Sequence, residues 1–168
     1  VVAFEPNREN AARFRKNVDR NPKLAERIEL IESALSDRDG ELGFVQSDDM
    51  GGASSGSHLE IANPPEEKLV YRQFQTTTVR SFRADTLISN GTPGPDLIKL
   101  DVEGGEWLML QGAEKLFEHS RPVLFIEVHH ILLMLRIQEW LLKLNYRLTV
   151  LDEGNATPGR CFLVASGD

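Results

Sequence analysis

Three features of the sequence predict an α/β fold with a mostly parallel sheet. Short apolar runs stop at polar residues, segments of helical period lie between several of them, and the last two strand-like runs are too close for a crossover helix to join them. That last pair must therefore be antiparallel.

From the N-terminus, Val1, Val2, Ala3 and Phe4 form an apolar run that stops at Glu5, Pro6 and Asn7, the pattern of a buried strand. No Met precedes it, and the expectation is that upstream sequence is missing. Ala11, Phe14 and Val18 recur at helical spacing across residues 7–20, with Asn7 as N-cap and Asn21-Pro22 as the stop. Residues 28–33 read as a second strand. Residues 42–46 read as a third, after the Asp39-Gly40 turn, and residues 69–80, rich in Thr, Val, Tyr and Phe, as a longer strand able to pair with it as a hairpin. Between them, residues 47–68 hold Gly51-Gly52, Ser54-Ser55-Gly56 and Pro64-Pro65, the composition of a surface loop or lid.

The second half alternates: a buried strand at 97–101, a helix at 105–119, a strand at 122–129 and a helix at 131–145. Two closing strands, 146–151 and 160–165, flank a stretch containing Gly154, Asn155, Pro158 and Gly159. Most doubly wound folds keep their strands parallel throughout, so a final antiparallel hairpin points to the methyltransferase variant of the Rossmann plan.

A chain of 168 residues, 40% hydrophobic and 27% charged and without an internal repeat, reads as a single domain over residues 1–168. Nineteen Lys and Arg against 26 Asp and Glu leave a net charge of -7, which argues against a nucleic-acid partner. Cys161 is the single cysteine and cannot close an internal disulfide, and no CxxC or Cys/His cluster offers a structural zinc site. A reducing, cytoplasmic compartment fits. No apolar run reaches the roughly eighteen residues of a bilayer span, and the N-terminus lacks the plan of a signal peptide, so no membrane partner is expected. Oligomeric state is not legible in these residues.

In open α/β sheets ligands sit beyond the carboxyl ends of the strands. Four such ends are polar: Glu5; Ser33-Ala34; Asp101 with Glu103; and Glu127 with His129. Glu5 is placed to accept hydrogen bonds from the ribose hydroxyls of an adenosine cofactor. After Asp101, Gly104-Gly105 allow a sharp turn into a helix, and Glu106 reads as a charge favoured by that helix's positive N-terminus. Lys99, flanked by Ile98 and Leu100, needs a carboxylate partner if it is buried. Glu127 and His129, two apart on one strand, share a face.

Asp101, Glu127 and His129 also suit magnesium or manganese, but no spacing such as HExxH compels a metal, and none is expected. His58 is expected to be a solvated loop residue, and His119 and His130 to be structural. Trp107, Met109 and Trp140 read as core.

The runs VVAFEPNRENAARFRKN, ALSDRDGE (34–41), LIKLDVEGGEWLMLQGA (97–113) and RPVLFIEVHH (121–130) together resemble the FkbM family of S-adenosylmethionine-dependent methyltransferases. The resemblance runs in order from Val2 to about His130. It implies a Rossmann-like class I methyltransferase fold whose first strand and glycine-rich turn are missing here. It also implies cofactor contacts at Glu5 (ribose), Pro6 (adenine face), Ser33 and Ala34 (adenine edge) and Asp101 (methionine end and acceptor). FRADTLI, around Asp85, matches the family only loosely. Methyl transfer from a sulfonium is an in-line displacement that needs an aligned acceptor oxygen and a group to take its proton, for which Asp101, Glu127 and His129 are the candidates. The reading is an O-methyltransferase acting on a sugar or other small-molecule or glycan hydroxyl. A nicotinamide-dependent oxidoreductase is disfavoured by the terminal hairpin, and a non-catalytic or truncated methyltransferase-like domain is the alternative of a different class.

Overall fold

The computed structural model describes residues 1–47, 57–62, 74–151 and 161–167. Strand β1 (Val2–Phe4) leads into α1 (Arg8–Asp19), capped by the Asn7 side chain, which accepts from the N–H groups of Glu9 and Asn10 at 2.9 and 3.2 Å. A short α2 (Pro22–Ala25), with proline at its first position, turns the chain into β2 (Glu29–Ile31), parallel to β1 with Phe4 opposite Ile31. A second sheet contains β3 (Ala34–Leu35), β4 (Gly40–Ser47), β5 (His58–Leu59) and β6 (Phe74–Phe82), in the order β3-β6-β4-β5. Helix α3 (Ala84–Ser89) then precedes β7 (Leu97–Leu100), α4 (Glu106–Gln111), α5 (Glu114–Ser120), β8 (Val123–Val128), α6 (Ile131–Lys143), β9 (Tyr146–Leu151) and β10 (Cys161–Gly167). The third sheet has the order β7-β8-β10-β9.

The expectation of a mostly parallel sheet is corrected by this topology. Among the described strands three pairs are parallel and four antiparallel, divided over three sheets. The cause lies in the first half. There β4 and β6 form the hairpin that the sequence suggested, from Gly40 opposite Ser81 to Ser47 opposite Phe74, and β5 extends it antiparallel from what reads as a loop. The closing pair is antiparallel as expected, and β10 is antiparallel to β8 as well. Among the described residues β1 pairs only with β2, and β7 only with β8. The glycine and proline clusters at 51–56 and 64–65, the start of the predicted 69–80 strand and the turn at 154–159 lie outside the described residues.

The main core joins the β7-β8-β10-β9 sheet to α4, α5 and α6. Leu124, Ile126 and Leu163 from the sheet meet Leu110, Phe117 and Leu141 from the helices, all 3% exposed or less. Each such side chain contributes about 1.5–3 kcal/mol of apolar burial. Trp140 stacks edge-on against Phe117 at 5.1 Å and Trp107 at 6.3 Å, so the tryptophans and the buried Met109 are core residues, as read from the sequence. The strands expected to be buried are half open. Val2 is 41% and Leu97 55% exposed, because the pleat carries Leu100 to the helical side and Leu97 with Lys99 to the other.

The single helix predicted over 105–119 is two helices. Gly112 closes α4, where its carbonyl accepts the Asp85 N–H at 2.9 Å and a Cβ would fall onto the Ser36 backbone carbonyl. Ala113 cannot cap α5, and Asp85 does so instead: its buried carboxylate accepts from the N–H groups of Lys115 and Leu116 at 3.2 and 3.0 Å. The FRADTLI segment thus serves the fold through α3. Gly112→Ala is expected to cost about 1–3 kcal/mol, since a methyl group there must displace backbone. Urea unfolding of the variant checks this, and an unchanged midpoint would show that the α4–Ser36 approach is loose.

Candidate functional site

Two groups of polar side chains stand beyond strand ends. At the first, the N–H groups of Glu5 and Ser33 both donate to the Ile31 carbonyl, at 3.2 and 2.9 Å, so one acceptor ties the ends of β1 and β2 together. Glu5 Oε1 accepts from the Asn7 N–H at 2.8 Å. Burial pushes the Glu5 carboxyl above its ordinary pKa, outweighing the lowering effect of hydrogen bonds from the Asn7 backbone and the Asn10 side chain. Ser33 is 1% exposed and its Oγ has no hydrogen-bond partner, a buried polar group that a ligand could satisfy. Pro6 is half-buried and Ala34 buried beside them.

The second group is denser. Leu100 lies opposite Ile126 in the parallel β7-β8 pair, so Asp101 emerges beside Glu127 and His129. The chain then turns through two successive left-handed residues, Glu103 (φ 48) and Gly104 (φ 92). For a glutamate this conformation costs on the order of 1 kcal/mol. It brings Glu103 Oε2 to 3.5 Å from His129 Nε2, which also has Glu127 Oε1 at 3.3 Å and Asp101 Oδ1 at 3.8 Å. On the other side of the ring, Nδ1–H donates to Glu106 Oε1 at 2.6 Å, and the same oxygen accepts from the Gly104 N–H at 3.0 Å. A carboxylate can only accept, so this contact assigns the ring proton to Nδ1. Burial by itself lowers the His129 pKa, but the hydrogen bond and charge of Glu106, with the charges of Glu103 and Glu127, outweigh it and raise the pKa above the ordinary value.

The structure thus brings together Asp101, Glu127 and His129 at the carboxyl ends of one pair of strands, and Glu5 with Ser33 at the ends of another. Lys99 has the carboxylate partner expected of it, Asp101 at 3.0 Å, but the lysine is exposed rather than buried. His130 caps α6 by accepting the Leu132 N–H, and His119 bonds the Lys115 carbonyl, both structural roles. His58 is a half-buried residue of β5, not a solvated loop residue.

Glu106 stands in the first turn of α4, as the sequence suggests, but the sequence reading missed its second role: it is a fully buried partner of His129. A signal was present: residue 106 falls on the same helical stripe as Met109, Leu110, Ala113 and Phe117, all of them buried. A carboxylate on an apolar stripe is aimed into the protein.

Residues 1–148 match the Methyltransferase FkbM domain family, a span that includes every residue of both groups. The hexuronic acid methyltransferase AglP of Haloferax volcanii is 28% identical over 130 residues, covering 77% of this chain and 47% of that protein. The 2-O-methyltransferase NoeI of Sinorhizobium fredii is 32% identical over 126 residues, covering 72% of this chain and 50% of that protein. The chain spans about half the length of the curated relatives it matches. The crystal structure of the methyltransferase FkbM from Methylobacillus flagellatus KT aligns with 98% of this chain and 36% of its own, with a TM-score of 0.66 at 19% identity, a likeness of fold. Among the described residues no helix is long and apolar enough to cross a membrane.

The layered arrangement predicts a contrast in stability. Glu106→Ala strands the Gly104 N–H and His129 Nδ1–H in the interior and is expected to cost about 2–3 kcal/mol. Asp101→Asn removes the exposed pair with Lys99 and a longer contact to His129 while relieving repulsion among carboxylates, and should shift stability by less than about 1 kcal/mol either way. Denaturant midpoints measured side by side test this; equal losses would mean that the cluster is one structural unit.

Proposed function

The chain belongs to the FkbM methyltransferase family, and from that premise we propose that it carries methyl groups from S-adenosylmethionine to a hydroxyl of a sugar or glycan acceptor. The observation that carries the reading is the convergence of Asp101, Glu127 and His129 at the carboxyl ends of two neighbouring parallel strands, with one ligand atom of each within 4.8 Å of the others. A Rossmann-like class I arrangement belongs to the same proposal, supported by the parallel β7-β8 pair and by a last strand antiparallel to both of its neighbours.

The residues at β1 and β2 fit an adenosine. Glu5 would accept hydrogen bonds from the ribose hydroxyls, Ser33 with its unpartnered Oγ and Ala34 would border the adenine edge, and Pro6 would lie against its face. When bound, S-adenosylmethionine supplies a methyl group on a positively charged sulfur that leaves as a neutral thioether. Asp101 or Glu127 would take the proton of an acceptor hydroxyl aligned with that methyl group. His129, fixed by Glu106, sets where those carboxylates stand. The chain's net charge of -7 favours a small-molecule or glycan acceptor over nucleic acid, and its single Cys161 suits a cytoplasmic enzyme.

Two measurements on the protein at its full natural length test this. Calorimetry with S-adenosylmethionine should show Glu5→Ala weakening affinity by about 1–3 kcal/mol; an unchanged affinity removes Glu5 from the site. With labelled methyl donor and a panel of hexoses and hexuronic acids as acceptors, Asp101→Asn and Glu127→Gln should each lower turnover by about a hundredfold or more. Full turnover in both would show that positioning without a protein base is sufficient.

A further inference from the structure

Glu106 carries a charge that its hydrogen bonds leave unbalanced. The side chain is 0% exposed; Oε1 accepts from the Gly104 and His129 N–H groups, while Oε2 is buried with no hydrogen-bond partner. A buried carboxylate in that state needs a cation beside it. Among the described residues the side chain placed to supply one is His129, itself nine-tenths buried. Its other nitrogen, Nε2, is also buried without a hydrogen-bond partner, yet Glu127, Glu103 and Asp101 oxygens stand around it at 3.3, 3.5 and 3.8 Å. A neutral ring would turn a lone pair toward these carboxylates, whereas a protonated ring turns an N–H toward them. The charged groups facing the imidazole are thus Glu106 from α4, Glu127 from β8, and Asp101 and Glu103 from the turn after β7. Lys99 reaches Asp101 Oδ2 from solvent at 3.0 Å, and the His130 ring is engaged with the Leu132 N–H.

We infer that His129 is the resident cation of this cluster, an imidazolium that Glu106 holds in place and that keeps Asp101 and Glu127 ionised side by side, so that the proton-accepting end of the site comes apart when the ring loses its proton. Its effect on turnover rests on the methyltransferase reading; the charge state of the ring does not. His129 is then a positioning residue and not the base, because a ring protonated at both nitrogens has no lone pair to offer. Asp101 and Glu127 present oxygens within 4.8 Å of each other, well inside the roughly 8 Å over which physiological salt screens charge. Burial opposes the charged ring, but the hydrogen bond and charge of Glu106, then the charges of Glu103 and Glu127, prevail and hold its pKa above the ordinary value. The consequence is an inverted pH dependence. A site that needs only an ionised carboxylate gains activity as pH rises and then levels off. Here turnover falls as pH rises through the pKa of the ring. Stability has the same sign: the contribution of the charged ring is present below its unfolded-state pKa and lost as pH rises through the raised folded-state value.

Ring and turnover are followed in parallel on the full-length protein, by NMR of the imidazole nitrogens and by methyl transfer from labelled S-adenosylmethionine to the hexose and hexuronic acid panel. The His129 resonance, identified by its loss in His129→Gln, should titrate above the ordinary value of about 6.5, and kcat should drop about tenfold per pH unit beyond that midpoint. In Glu106→Gln the amide oxygen can still accept both N–H groups but brings no charge. The ring midpoint and the alkaline limb of kcat should therefore move down together, by about one pH unit or more, with KM for S-adenosylmethionine unchanged. Circular dichroism confirms that the variants are folded, and the fall of the urea midpoint with rising pH should move down by the same interval. A ring that titrates at or below about 6.5 overturns the proposal, as does an alkaline limb that stays in place in Glu106→Gln; methyl transfer that persists in either case leaves the function standing. Paired shifts of the ring and urea midpoints with no acceptor methylated at any pH uphold the resident cation and reject the function.

Discussion

A carboxylate with no solvent access organises this molecule's polar end. Glu106 is 0% exposed, and removing a charge of that kind from water costs several kcal/mol unless hydrogen bonds compensate. Here one oxygen serves two donors, the N–H of the left-handed Gly104 and the ring N–H of His129. The first contact holds the turn after β7 and the second holds the residue after β8. The pair therefore ties a loop, a helix start and a strand end at one point, and the orientation of the imidazole follows from it. Asp101, Glu103 and Glu127 then gather around a ring that is already fixed.

The strand-end carboxylates were legible because an apolar run that stops at an acid places that acid at a sheet's edge. Asp101, Glu127 and His129 are close together in the structure for that reason. Glu106 was not legible in the same way. Its position at a helix start already had a sufficient local explanation, whereas its partner lies 23 residues away in sequence.

Similar limits apply to the fold. Leu110, Ala113 and Phe117 continue one helical period across Gly112, so the break between α4 and α5 is invisible until Ser36 is known to press against that glycine. Residues 58–59 are too few to show an alternation, and β5 arises from pairing with Phe44 and Val45. The apolar run at 97–100 marks a strand correctly but does not say how many of its faces are covered.

Helix α4 has neighbours of different kinds at its two ends. Glu106, at its first residue, anchors His129, while Gly112, just past its last, abuts the backbone of Ser36, three residues beyond Ser33. Six helical residues rise by about 1.5 Å each, so the helix acts as a rod of roughly 9 Å wedged between the two polar groups. Their spacing is in this sense set by one rigid element, with Gly112 against the Ser36 carbonyl at one end and Glu106 bonded to His129 at the other. A substitution that lengthened or broke this helix would therefore move one polar group relative to the other, even if it touched neither of them.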